Sequence, residues 1–422
     1  PGELDDVNID WDRLFGYMPW IKRLDLTKVP LLSRHLPRIL VAASNRCRHM
    51  EYLILPGKSD YDSTVKGPEI ENVMTTLVKA LETWYVNGTC RGLKQLTVPA
   101  RTEEDHFRAS AQYIQAVVQF CPNIEYLDGY KKCLFYGSTY CDESWLLTFE
   151  AWEAFNASCT ALREFNWCVV PFADRYFEIF GNHVKPKLKS LSLSANASFH
   201  YFYFFDNYPG VAGFPEPDFL DERTGYGCRA TDASTVLRAC PSLTELHIEI
   251  DFCINNERPD PYVNTDVYGD AFWEAAATHC SLLETIMVSD VAGREYVKVR
   301  PFETQTDRTL LILAGLKRLS KCHLPPARLT GSGIFAYLRR VSEMEGLVGQ
   351  ERHLTIAIGG RQREKVASFY KVIVNLLKLL SETREEDLDA ALCRTKTKLH
   401  IENPYYRKAD SSWCEEYMRD KL

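Results

Sequence analysis

The chain has 422 residues, 45% hydrophobic and 25% charged, an ordinary globular balance that excludes disorder over most of its length. A formal net charge of -7 leaves no basic footprint, which argues against nucleic acid or an anionic lipid surface and favours a neutral or basic protein surface as partner. No run of about 18 uncharged apolar residues occurs, so no membrane-spanning helix is expected.

The acidic stretch from Pro1 to Asp12 is not a basic-then-apolar signal, and a start at Pro1 without methionine is that of a processed form or a fragment. The first patterned segment is Met18, Ile21, Leu24 and Leu26. It recurs more fully as Cys47, Met50, Leu53 and Leu55, and then as Cys90, Leu93, Leu96 and Val98. The common form is a cysteine, an apolar residue three positions on, a second after three more and a third after two. Cys121 (Ile124, Leu127), Cys159 (Leu162, Phe165, Trp167), Cys240 (Leu243, Leu246, Ile248) and Cys280 (Leu283, Ile286, Val288) carry it on. Two copies keep the frame without cysteine: Leu188, Leu191, Leu193 and Leu313, Leu316, Leu319.

The last two apolar positions alternate with period two and predict a short strand. Helical spacing precedes most copies: Val73, Leu77, Leu81 and Trp84; Phe107, Ala111, Ile114 and Val118; Trp145, Phe149, Trp152 and Phe155; Phe272, Ala275 and Ala276. Each unit is therefore helix, cysteine turn, strand. One such unit cannot bury both faces, whereas stacked neighbours close a shared core. The expected fold is α/β: a leucine-rich repeat solenoid, or horseshoe, with parallel strands on the concave face and helices on the convex face.

The anchors Leu24, Leu53, Leu96, Leu127, Phe165, Leu191, Leu246, Ile286 and Leu319 stand 29, 43, 31, 38, 26, 55, 40 and 33 residues apart. That irregularity would suit either leucine-rich repeats with insertions or paired-helix repeats, and the period-two strands, as in Leu246 to Ile250, favour the first. Beyond Leu319, Leu354 to Ile358 and Lys398 to Ile401 read as strands, and Val366 to Leu380 between them as a helix. Residues 351–422 are expected to cap a single irregular domain spanning 1–422.

Of the 14 cysteines, six fall at the same point of the repeat, where a small apolar residue belongs. Reduced thiols, and hence a cytoplasmic or nuclear location, follow from that placement. The sequons at Asn87, Asn156 and Asn196 would suit a secreted protein but are no more than chance supplies.

The phrases Cys121-Pro122-Asn123-Ile124-Glu125-Tyr126-Leu127 and Cys240-Pro241-Ser242-Leu243-Thr244-Glu245-Leu246 resemble the cysteine-containing leucine-rich repeats of F-box proteins of the fungal type. The resemblance spans about residues 18–320. It implies a substrate-binding role in an SCF-type ubiquitin ligase, with a Skp-type adaptor bound only if an F-box lies upstream of Pro1, because no F-box is visible in this sequence. A ligase-independent repeat scaffold or inhibitor of another protein is the alternative.

Strand residues that alternate with the buried ones define the face open to a partner. They include Arg23, Asp25, Tyr52, Ile54, Tyr126, Asp128, Tyr130, Asn166, Ser192, Glu245, His247, Glu249, Arg318 and Ser320. Tyr52, Tyr126 and Tyr130 are candidate anchors, or exposed strand residues favoured by propensity. Glu245, His247 and Glu249 form an acidic patch with no nucleophile beside it. The aromatic insertion at 196–229, with Tyr201, Tyr203 and Phe205, is expected to be ordered, either as part of the binding site or as packing on the solenoid. Shorter insertions at 255–268 and 290–306 are expected on the same edge. No tight Cys/His spacing, phosphate loop or nucleophile elbow occurs, so neither cofactor, metal nor enzyme activity is expected.

Overall fold

Eleven parallel strands form one sheet in which sheet order is chain order, the signature of a solenoid. They are β1 (Arg23–Asp25), β2 (Tyr52–Ile54), β3 (Gln95–Thr97), β4 (Tyr126–Asp128), β5 (Glu164–Asn166), β6 (Ser190–Ser194), β7 (Glu245–Ile250), β8 (Thr285–Asp290), β9 (Lys321–Ala327), β10 (Arg352–Ile358) and β11 (Thr397–Glu402). The structure is a computed structural model and describes residues 7–30, 33–55, 67–97, 106–128, 145–167, 169–170, 174–194, 232–250, 265–290, 305–344, 351–358, 365–383 and 397–402.

Helices alternate with the strands: α1 (Trp11–Gly16), α2 (His35–Arg46), α3 (Gly67–Asn87), α4 (His106–Phe120), α5 (Phe149–Ser158), α6 (Asp174–Gly181), α7 (Asp270–His279), α8 (Asp307–Ala314), α9 (Gly331–Glu343) and α10 (Lys365–Glu382). A 3-10 turn, Ser234–Ala239, leads into β7, and another, Thr265–Tyr268, leads into α7. Trp145 belongs not to a helix but to a two-residue strand, Trp145–Leu146, paired with Val169–Val170. The reason is Thr148, whose side chain accepts from the Ala151 amide and so starts α5 at Phe149, four residues after Trp145.

Register is the same at every junction. Leu24, Leu53, Leu96, Leu127, Phe165, Leu191, Leu246 and Ile286 are Cα partners in succession. The line continues through Cys322, Leu354 and Leu399. The ninth anchor is thus Cys322 and not Leu319, and the spacing from Ile286 is 36 residues. Leu316, Leu319, Cys322 and Leu324 fill the four motif positions and are all buried. Arg318 and Ser320 accordingly precede the strand, and Lys321 and His323 take the places expected of them. At Pro325-Pro326 the pairing of β9 with β10 shifts, because proline has no N–H to donate to the ladder.

Two successive amides of each repeat converge on one carbonyl of the repeat before. Glu51 and Tyr52 donate to Lys22, Lys94 and Gln95 to Glu51, and Ser320 and Lys321 to Glu284. A carbonyl has two lone pairs, so the arrangement leaves no donor unpaired at these turns. Charge alternates along the same positions: Lys22 and Lys94 both reach Glu51, at 3.6 and 2.6 Å, and Arg163 reaches Glu125 at 2.7 Å. The hydrogen bond from Lys94 holds the Glu51 carboxyl below the usual carboxylate range.

Cys47, Cys121, Cys159, Cys240 and Cys280 are fully buried at the turn position, and the seven cysteines of the described residues are free thiols. Cys90 departs from the expected burial and is half-buried. Its turn differs, with Arg91 at φ 49° and Gly92 at φ 99°, and a Cβ on Gly92 would lie 2.1 Å from the Phe120 carbonyl oxygen. In the sixth repeat Lys185 holds the cysteine position, six residues before Leu191, and is fully buried. Its Nζ donates to the His183 carbonyl at 2.7 Å and to that of Phe180 at 3.3 Å, and lies 3.8 Å from the centre of the Phe180 ring. Burial lowers the ammonium pKa to about 8. Trp152, Phe155, Phe165, Trp167, Phe177 and Phe180 form the aromatic core around this repeat. Asn156 is buried beside it with its Nδ2 donating to the Trp152 carbonyl, so that sequon is closed to glycosylation in the folded protein.

Candidate functional site: the open face of the sheet

Alternate strand residues enter the core, and their neighbours form two rows across the opposite face. The first row, just before the anchors, begins Arg23, Tyr52, Gln95, Tyr126 and Glu164. It continues through Ser190, Glu245, Thr285 and Lys321 to His353 and Lys398. The second row, just after the anchors, is buried at the second, fifth and sixth strands. Ile54, Asn166 and Ser192 lie there and are buried, so these three expected surface residues present no contact area. Asp25, at the edge of the sheet, accepts from the amide and hydroxyl of Thr27.

Tyr52 and Tyr126 both lie half-buried in the first row with Gln95 between them. Two strand spacings separate their backbones by about 9.6 Å. Burial, followed by the neighbouring Glu164 carboxylate, raises the Tyr126 hydroxyl above its ordinary value, so it remains a neutral donor. Glu245 is exposed three strands further along, and its carboxylate stands 3.7 Å from the His247 imidazole. By register Glu249 is level with Ser194 and Ser289, and Asp128 with Thr97. The structure therefore places Tyr52, Tyr126 and Glu245 on the first row and brings Glu245 against His247 of the second. Tyr130, Tyr201, Tyr203 and Phe205, with the aromatic insertion at 196–229, lie outside the described residues.

Sequence reasoning found the last two strands but misplaced β9, and it left the residues of all three out of this face. Lys321, His353, Lys398 and His400 are exposed there, and His323 is half-buried. The signal was present in the spacing of Leu316, Leu319, Cys322 and Leu324, with leucine where other repeats have cysteine. Also missed was a cavity of about 680 Å3 on the helix side, where Ala277, Ile312 and Leu316 lie beneath Lys317 and Arg340. Arg308 at its rim is tied to Glu274 at 2.7 Å.

Among the described residues no group of three or more His, Cys, Asp and Glu could hold a metal ion, and no helix is long and apolar enough to cross a membrane. No protein-family model matches the chain, and no curated protein matches it.

Proposed function

We propose that the chain is a protein-recognition solenoid that binds a protein partner on the open face of its sheet, as the substrate-binding part of an SCF-type ubiquitin ligase does. The observation that carries this reading is the unbroken register of eleven strands, which sets a long row of polar and aromatic side chains on one rigid face. Half-buried tyrosines with fixed stems are suited to anchoring a partner at small entropic cost. The ligase role comes from the resemblance of the Cys121 and Cys240 repeats to those of F-box proteins.

The test is affinity capture of the endogenous full-length protein, followed by the same capture with Tyr52→Ala and Tyr126→Ala. Stoichiometric recovery of a Skp-type adaptor together with a protein partner is expected, and the partner should fall about tenfold in the double variant while its melting temperature stays near the parent value. Recovery of a partner without any adaptor assigns the chain to the ligase-independent scaffolds. A partner indifferent to substitutions on this face sinks the recognition reading.

A further inference from the structure

We infer that the last three strands of the open face, β9 to β11, seat an acidic protein segment. This rests on the recognition reading of the face and names what one part of it binds. Lys321, His353 and Lys398 are successive partners in the first row, and His323, Thr355 and His400 in the second. Two ammonium groups and three imidazoles are thereby set across three adjacent strands. The adjoining β8 contributes the uncharged Thr285 and Met287. Among residues whose side chains are described, Glu351, just before β10, is a carboxylate beside this patch and lies 3.5 Å from both His353 and Lys398.

The spacing selects the ligand. Lys321 and Lys398 are two strands apart, with backbones about 9.6 Å from one another. The set contains ammonium and imidazole groups and no guanidinium fork, the usual clamp for phosphate. A polyanion such as nucleic acid also meets a chain of net charge -7. An extended peptide, by contrast, places same-side residues about 6.8 Å apart, so spaced carboxylates can pair with the ammonium groups of Lys321 and Lys398 and accept hydrogen bonds from the imidazoles beside them. Upstream, the exposed Glu245 and the half-buried Glu164 repel such a segment and confine it to the last strands.

Fluorescence anisotropy on the full chain at about 50 mM salt tests this, where surface charge is weakly screened. The probes are labelled peptides of alternating Glu and Ser, the Lys and Ser counterpart, and a single-stranded RNA of equal charge. The Glu peptide should bind and weaken about tenfold in Lys321→Glu/Lys398→Glu, and it should bind about threefold tighter in Glu245→Lys. Failure of the Glu peptide to bind overturns the inference, as does equal binding by the double variant. So does preferential binding of the Lys peptide or RNA. Loss of partner capture in the tyrosine variants is a separate result, so the recognition reading can stand when this inference falls.

Discussion

A single turn position shows how far one residue type can be replaced when its physical task is kept. Five thiols fill it, and in the sixth repeat an ammonium does, held by two carbonyls and an aromatic ring. The two chemistries respond to alkali in opposite senses. Burial pushes the turn thiols Cys47 up to about 11 and Cys121, Cys159 and Cys280 to about 12, raises Cys240 in the same sense, and pushes the anchor thiol Cys322 to about 12. Unfolded thiols ionise near ~8.5, so their stabilising effect is complete below that pH and declines as pH rises towards the folded values. Lys185, lowered to about 8, binds fewer protons when folded and adds stability as pH rises from there towards the ordinary lysine range. The thiols outnumber it. The melting temperature in reductant should fall between about pH 8 and pH 10.5, more steeply in Lys185→Met. A flat profile, or a shallower one in the variant, contradicts the account. The cysteine turns were legible because a small apolar residue recurs there; Lys185 was not, because no rule of composition places a lysine in a core.

Elements are fastened to one another at their starts. Thr306 donates its amide and hydroxyl to Asp270, the first residue of α7, and Thr330 does the same to Asp307, the first residue of α8. Each threonine also caps its own helix, so one aspartate locks the next cap in place. Asp307→Ala should cost about 1–2 kcal/mol in chemical unfolding. A Cβ on Gly333 would lie 2.1 Å from the Asp307 carboxyl, so Gly333→Ala displaces the same group. In the Asp307→Ala background the carboxyl is gone and only the 2.6 Å approach to the Cβ of residue 307 remains, so Gly333→Ala should cost less there than in the parent. Additive losses in the double-mutant cycle would rule out the shared contact. The strands were legible from period-two alternation, while the ninth was misplaced because Leu313, Leu316 and Leu319 fit the frame at either of two offsets. Cys322 decides between them, and a cysteine had been assigned to turns. The cap ladder was invisible, since aspartate and threonine at helix starts are common wherever helices begin.

The molecule as a whole is held by nearest neighbours, each strand pairing only with those before and after it in the sheet. Phe165 is the anchor of β5 and contacts Trp152, Phe155, Trp167 and Phe180. Phe165→Ala should cost about 3–5 kcal/mol. Hydrogen exchange should accelerate in Glu164–Asn166 and Ser190–Ser194 while Lys321–Ala327 and Arg352–Ile358 keep their protection. Uniform loss along the chain would mean that the solenoid unfolds as one unit. At this scale the repeat architecture was legible, yet the basic end of the open face was not, because its residues acquire meaning only after three strands from distant segments are set side by side. The constant register has one more consequence. It gives the surface an address system, in which strand number and row specify every position, so a binding pattern is spelled across strands and can be moved by whole steps. Rewriting Thr285 and Met287 as Lys and His would shift the cationic lettering one strand, about 4.8 Å, towards Glu245 without turning any side chain to a new direction.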